Sequence, residues 1–146
     1  MTLFDTHAHY DDEAFDADRD AVLAAFDGLV IDPGCTLASS QAAVDLAARH
    51  PHVYAAVGIH PENCGDFVSE HMDALRQLAR EPKVVAIGEI GLDYYWPENP
   101  PRDFQQQVFR SQLELALELD LPVIVHDREA HGDSLAIVKE YPALRG

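Results

Sequence analysis

Two histidines one residue apart, in Leu3-Phe4-Asp5-Thr6-His7-Ala8-His9, stand where an apolar run gives way to polar residues. Strand side chains alternate between faces, so on an extended backbone His7 and His9 point the same way and can hold one metal ion between them. The chain has eight histidines, enough for one such spacing to arise without a ligand role, and an exposed strand end accounts for the pair as well. Glu89, in Gly88-Glu89-Ile90-Gly91-Leu92-Asp93, follows another apolar run. A carboxylate set between glycines and apolar neighbours is poorly solvated and wants a cation, either two metals that it bridges or a nearby Arg or Lys. Asp93 equally suits the capping of a following turn. In Val123-Ile124-Val125-His126-Asp127-Arg128 the imidazole of His126 suits a metal, and Arg128 faces the same way if the strand persists. A guanidinium there fits a phosphate or carboxylate clamp. His60, in Gly58-Ile59-His60-Pro61, holds the same kind of position after a third apolar run. Each residue alone has a structural explanation. Their shared placement predicts that His7, His9, His60, Glu89 and His126 meet at one rim.

The runs that must position them cover 3–7, 29–31, 53–57, 84–87 and 123–125, apolar almost throughout, as strands covered on both faces are. Helical spacing follows each, over 15–26, 38–49, 72–80, 103–119 and 134–140, with Phe104, Val108, Leu115 and Leu119 on one face of the fourth helix. Pro33-Gly34, Pro51, Pro82, Gly91 and Pro122 punctuate the joins. Such βα repetition implies a parallel sheet with right-handed crossovers. The Gly-rich phosphate turn of a doubly wound sheet is absent, whereas ligands just past strand ends fit a barrel, whose chemistry lies on that face. At roughly 29 residues per unit, eight units need roughly 230 to 240, close to the ~250 of a complete (β/α)8 barrel. The expected fold is therefore α/β, the N-terminal five βα units of a TIM-type (β/α)8 barrel, with residues 1–146 a single incomplete domain lacking the last three units.

A 47% hydrophobic composition can build a core, and the formal charge of −16 argues against a broad basic surface for gripping nucleic acid. A phosphate-bearing substrate would need local help, which bound divalent cations can supply. Cys35 and Cys64 are the only cysteines. No apolar stretch approaches the ~20 residues of a membrane span, so no membrane partner and a cytoplasmic location are expected, with little place for a disulfide.

FDTHAHYDD, VGIHPEN, GEIGLDYY and PVIVHDREA, in this order and at these spacings, resemble the TatD family of metal-dependent hydrolases among the amidohydrolase-type barrels. The resemblance spans the whole chain, and GEIGLDYY followed by PVIVHDR is its most specific part. It implies two divalent ions (Mg, Mn or Zn), with His7 and His9 as ligands of one, Glu89 bridging both and acting as the catalytic carboxylate, and His126 as a ligand of the second. His60 and Arg128 match positions that contact substrate. The implied activity is that of a DNase, in which a metal-activated water attacks a phosphodiester; DNA is the expected partner. An amide or ester hydrolase on the same barrel, such as a D-aminoacyl-tRNA deacylase, is the alternative, and a catalytically silent fragment is a third. The family pattern continues into a further histidine on the sixth strand and an aspartate on the eighth, neither of which lies within Met1–Gly146. His131, at the start of the fifth helix, is no substitute. The chain is thus expected to be the front of a longer barrel, inactive alone, with no stable protein partner beyond self-association.

Overall fold

The computed structural model describes residues 3–146. Its five strands, β1 (Leu3–Asp5), β2 (Gly28–Pro33), β3 (Val53–Val57), β4 (Val84–Asp93) and β5 (Val123–Arg128), form one all-parallel sheet in chain order. Helices α1 (Arg19–Ala25), α2 (Leu37–Arg49), α3 (Ser69–Leu78) and α4 (Arg102–Leu119) join consecutive strands, and α5 (His131–Val138) follows β5. The sheet curls into a half-barrel with its helices outside. Between helices and sheet lies the core, where Val44, Leu46, Leu75, Phe109, Leu113 and Ile137 pack against Val30, Val57 and Ile87. On the concave side Leu29, Ile31, Tyr54, Val85 and Ile124 line an open apolar trough of about 620 Å³.

Three differences from the sequence expectation bear on the site. First, β1 stops at Asp5, two residues before the expected end at His7, because the Asp5 carboxylate accepts the His7 amide (3.1 Å) and turns the chain. Second, α1 is a short helix preceded by a 3-10 turn, Glu13–Phe15, instead of one run over 15–26. Asp12 caps that turn, and the Arg19 guanidinium binds the carbonyls of Tyr10, Asp11 and Asp12, so side chains hold the segment between β1 and α1 in a non-helical path. Third, β4 runs six residues beyond the expected end at Ile87. The glycines that suggested a stop instead admit β5: a Cβ on Gly88 would lie 2.6 Å from that of Ile124, and one on Gly91 would lie 2.0 Å from the His126 carbonyl oxygen. A register shift between Ile87 and Ile90 marks a bulge around Glu89.

Candidate metal centre

The bulge carries the central carboxylate. A bulge re-aims a side chain out of the alternating pleat, and Glu89 is turned to the strand-end rim, where it is 7% exposed. Its amide donates to the Gly34 carbonyl (2.9 Å), which ties the bulge to the end of β2. Its two oxygens face different histidines: Oε2 lies 3.1 Å from His7 Nε2 and 3.7 Å from His9 Nε2, while Oε1 lies 3.1 Å from His126 Nδ1. His7 and His9 face each other through their Nε2 atoms at 3.2 Å.

These spacings fit a metal. Ligands about 2.0–2.1 Å from a tetrahedral ion stand roughly 3.3 Å apart, and His7, His9 and Glu89 present three ligand atoms at 3.1, 3.2 and 3.7 Å. The rings converge although β1 has ended, since the Ala8 amide still donates to the Ile31 carbonyl (3.1 Å) and keeps the chain against β2. His126, Glu89 and His60 form a second group on the other side of the carboxylate.

Hydrogen bonds select which nitrogen each ring can offer. His126 Nε2 donates to Asp93 Oδ2 (2.9 Å), which leaves Nδ1, the atom facing Glu89, as the one that could bind a metal, the arrangement of carboxylate–histidine pairs around metals. His60 is held the opposite way: its Nδ1 accepts the Glu62 amide (3.2 Å), so in the neutral ring Nε2 carries the proton and serves as a donor. The structure thus brings His7, His9, Glu89, His60 and His126 to one rim. Arg128 sits two residues beyond His126 on a strand that does persist, stacked 3.9 Å over the Tyr95 ring and 5.2 Å from that of Trp96.

The local charges are arranged around Glu89. Burial alone would raise its pKa, but the His126 hydrogen bond and the charges of His7, His60 and His126 hold it down at about 2. The same bond, opposed by partial burial and helped by Asp93, raises His126. Burial foremost, then the His126 charge, pushes His60 down to about 4 and so keeps it neutral. Cys35 is pushed up to about 12, chiefly by burial, and Cys64 to about 11 by the same cause; both are free thiols. Neither is poised as a nucleophile.

Sequence reasoning missed the supports of this rim. Gln112 of α4 accepts from the Ile59 amide (2.8 Å) and donates to the Ile59 carbonyl (3.0 Å), clamping the backbone beside His60. Gln105, one heptad earlier, makes the same pair of bonds to Asp93 (both 2.9 Å). Two glutamines seven apart within an apolar helix face were the available signal. Asp93, read as a turn cap, does accept the Tyr95 amide (3.0 Å), but its other oxygen holds His126.

The model of the family described as TatD related DNase matches residues 4–146. The metal-dependent hydrolase YabD of Bacillus subtilis is 38% identical over 142 residues, covering 94% of this chain and 55% of YabD. The 3'-5' ssDNA/RNA exonuclease TatD of Citrobacter koseri is 37% identical over 144 residues, covering 95% and 55% respectively. The crystal structure of the TatD homologue YjjV of Escherichia coli K12 superposes with a TM-score of 0.87 at 35% identity, over 94% of this chain and 55% of that one. The chain spans about half the length of the curated relatives it matches. With a family model matched over nearly every residue and the barrel half of a solved homologue reproduced, this chain belongs to the TatD-related DNase family of metal-dependent hydrolases.

Proposed function

We propose that these residues form the larger part of a two-metal hydrolase centre that cleaves phosphodiesters of single-stranded nucleic acid. The observation that carries the proposal is the division of Glu89, one oxygen toward His7 and His9 and the other toward His126. On this reading His7 and His9 would hold the first ion, His126 the second through Nδ1, and Glu89 would be shared between them. Bound divalent ions would supply Lewis acidity toward a phosphoryl oxygen and a more acidic water. Glu89, ionised down to about pH 2 by its histidine neighbours, offers the negative charge that two cations share. Asp93 fixes the His126 ring. His60, neutral and with Nε2–H free of the Glu62 amide, donates to a substrate oxygen, and the Arg128 guanidinium takes a phosphate oxygen beside the Tyr95 and Trp96 rings.

The mixed imidazole and carboxylate donors accept Mg, Mn or Zn. The nucleic-acid substrate is favoured by the relatives named as ssDNA/RNA exonucleases, and two free thiols accord with a reducing, cytoplasmic setting. Residues 1–146 act as one unit, with hydrolysis requiring the later units of the barrel. The test is a metal-supplemented assay of the completed barrel on a single-stranded oligonucleotide and on an aminoacyl-tRNA in parallel. Strand cleavage that is lost in Glu89→Gln supports the proposal, and acyl release without strand cleavage assigns ester chemistry instead.

A further inference from the structure

Behind His9, on the side away from Glu89, two carboxylates face each other with only the His9 ring beside them. Asp32, near the end of β2, is fully buried, and neither of its oxygens has a hydrogen-bond donor. Asp11 Oδ1 is buried and unpartnered as well. One ligand atom from each of His9, Asp11 and Asp32 lies within 4.8 Å of the others, and His9 Nδ1 stands 3.8 Å from Asp11 Oδ1. Among the described residues no Lys or Arg pairs with either carboxylate. Arg19, the nearby cation, spends its guanidinium on backbone carbonyls and on Asp16.

Three buried carboxylate oxygens without a hydrogen bond are costly unless a proton or a cation joins them, and burial beside Asp11 pushes the Asp32 carboxyl up to about 8. A divalent cation answers all three at once. We propose that Asp32, Asp11 and Nδ1 of His9 hold a third divalent cation, separate from the two shared by Glu89. The 3.8 Å between His9 Nδ1 and Asp11 Oδ1 falls between the roughly 3.0 Å of adjacent and the roughly 4.3 Å of opposite ligands placed about 2.1–2.2 Å from one octahedral metal. His9 then lies between two seats, offering Nε2 to the His7 and Glu89 side and Nδ1 to the Asp11 and Asp32 side. When both seats fill, the ring gives its one N–H proton to solvent. A donor set of one imidazole and two carboxylates suits Mn(II) or Zn(II). The third ion would add positive charge at a rim whose chain is otherwise strongly acidic.

The test is Mn(II) bound per chain, by equilibrium dialysis of the 146-residue protein, compared among wild type, Asp32→Asn, Asp32→Leu, Asp11→Asn and Glu89→Gln, with circular dichroism confirming the fold of each. The inference expects one equivalent fewer in both Asp32 variants and in Asp11→Asn. It also expects Glu89→Gln to lose the other ions yet retain the one at Asp32. Asp11, at the edge of the cluster, keeps the test open if the buried Asp32 variants do not fold. Unchanged stoichiometry in every folded Asp32 and Asp11 variant would overturn it, showing that the carboxylates share a proton alone, while leaving the Glu89 centre standing. Conversely, loss of one equivalent at Asp32 with no effect of Glu89→Gln would support the third seat and overturn the bridged centre. A wild-type chain that binds no Mn(II) would overturn both.

Discussion

Glu89 is the residue on which the site turns, and its environment makes definite predictions. Glu89→Gln keeps the shape but not the charge, so bound metal should fall by at least one ion per chain with the fold intact; undiminished metal content would contradict the bridging role. The histidine on the opposite flank sets a pH dependence. His60 has its folded pKa lowered to about 4 from 6.5, so the unfolded chain binds its proton first, and the stability it permits is complete above about pH 6.5 and lost as pH falls toward 4. The difference in urea midpoint between wild type and His60→Gln should therefore widen in the variant's favour from pH 7 to pH 4.5. Parallel profiles would place His60 in water. Arg128→Ala should weaken a phosphodiester substrate several-fold while leaving metal content unchanged, because its guanidinium rests on Tyr95 and Trp96 and touches no ligand. Equal loss on a neutral ester would remove the phosphate clamp. The residue types of the rim were legible in the sequence since each candidate stands at the end of an apolar run. The choice between Nδ1 and Nε2 was not, because it depends on how the folded chain sets the Asp93 carboxylate against His126 and the Glu62 amide against His60.

Among the elements, β3 was legible to the residue and α4 nearly so, because an uninterrupted apolar run and a long amphipathic helix leave little freedom. The end of β4 was not legible. Glycine signals both a turn and a close approach, and only the neighbouring strand reveals which; at Gly88 and Gly91 it is the passage of β5 that demands the missing side chain. The apolar face read on α4 was partly right: Val108 and Leu115 are buried, whereas Phe104 and Leu119 are half-buried and Gln105 and Gln112 occupy the interior. Those glutamines are the helix's contribution to the site. Gln112→Leu preserves bulk but strands a buried amide and carbonyl at Ile59, a cost of about 2–4 kcal/mol. Urea unfolding should read that loss, accompanied by weaker Mn(II) binding. A change under about 0.5 kcal/mol, the range of a neutral surface substitution, would mean the clamp is dispensable.

For the whole molecule, an all-parallel sheet that curls without closing leaves β1 and β5 as edges and its concave trough open. Leu3 and Phe4 on β1 are 58% and 56% exposed, and Val125 on β5 is 38% exposed. The 146-residue chain should self-associate despite its charge of −16, more so at high salt, where like-charge repulsion is screened. Sedimentation velocity would show species larger than a monomer at micromolar concentration; a monomer at both low and high salt would show that the trough is stable in water. The half-barrel itself was legible from the count and spacing of βα units. How its tail lies was not, since the Arg145 carbonyl accepting the Val123 amide (2.9 Å) is a contact no local pattern encodes.

Whether one carboxylate joins two ions can be read from electron paramagnetic resonance of the Mn(II)-loaded chain. Two ions sharing Glu89 should give an exchange-coupled spectrum that collapses to isolated six-line Mn(II) in Glu89→Gln. Isolated Mn(II) in the wild type, unchanged by that substitution, would rule out a carboxylate shared by two ions.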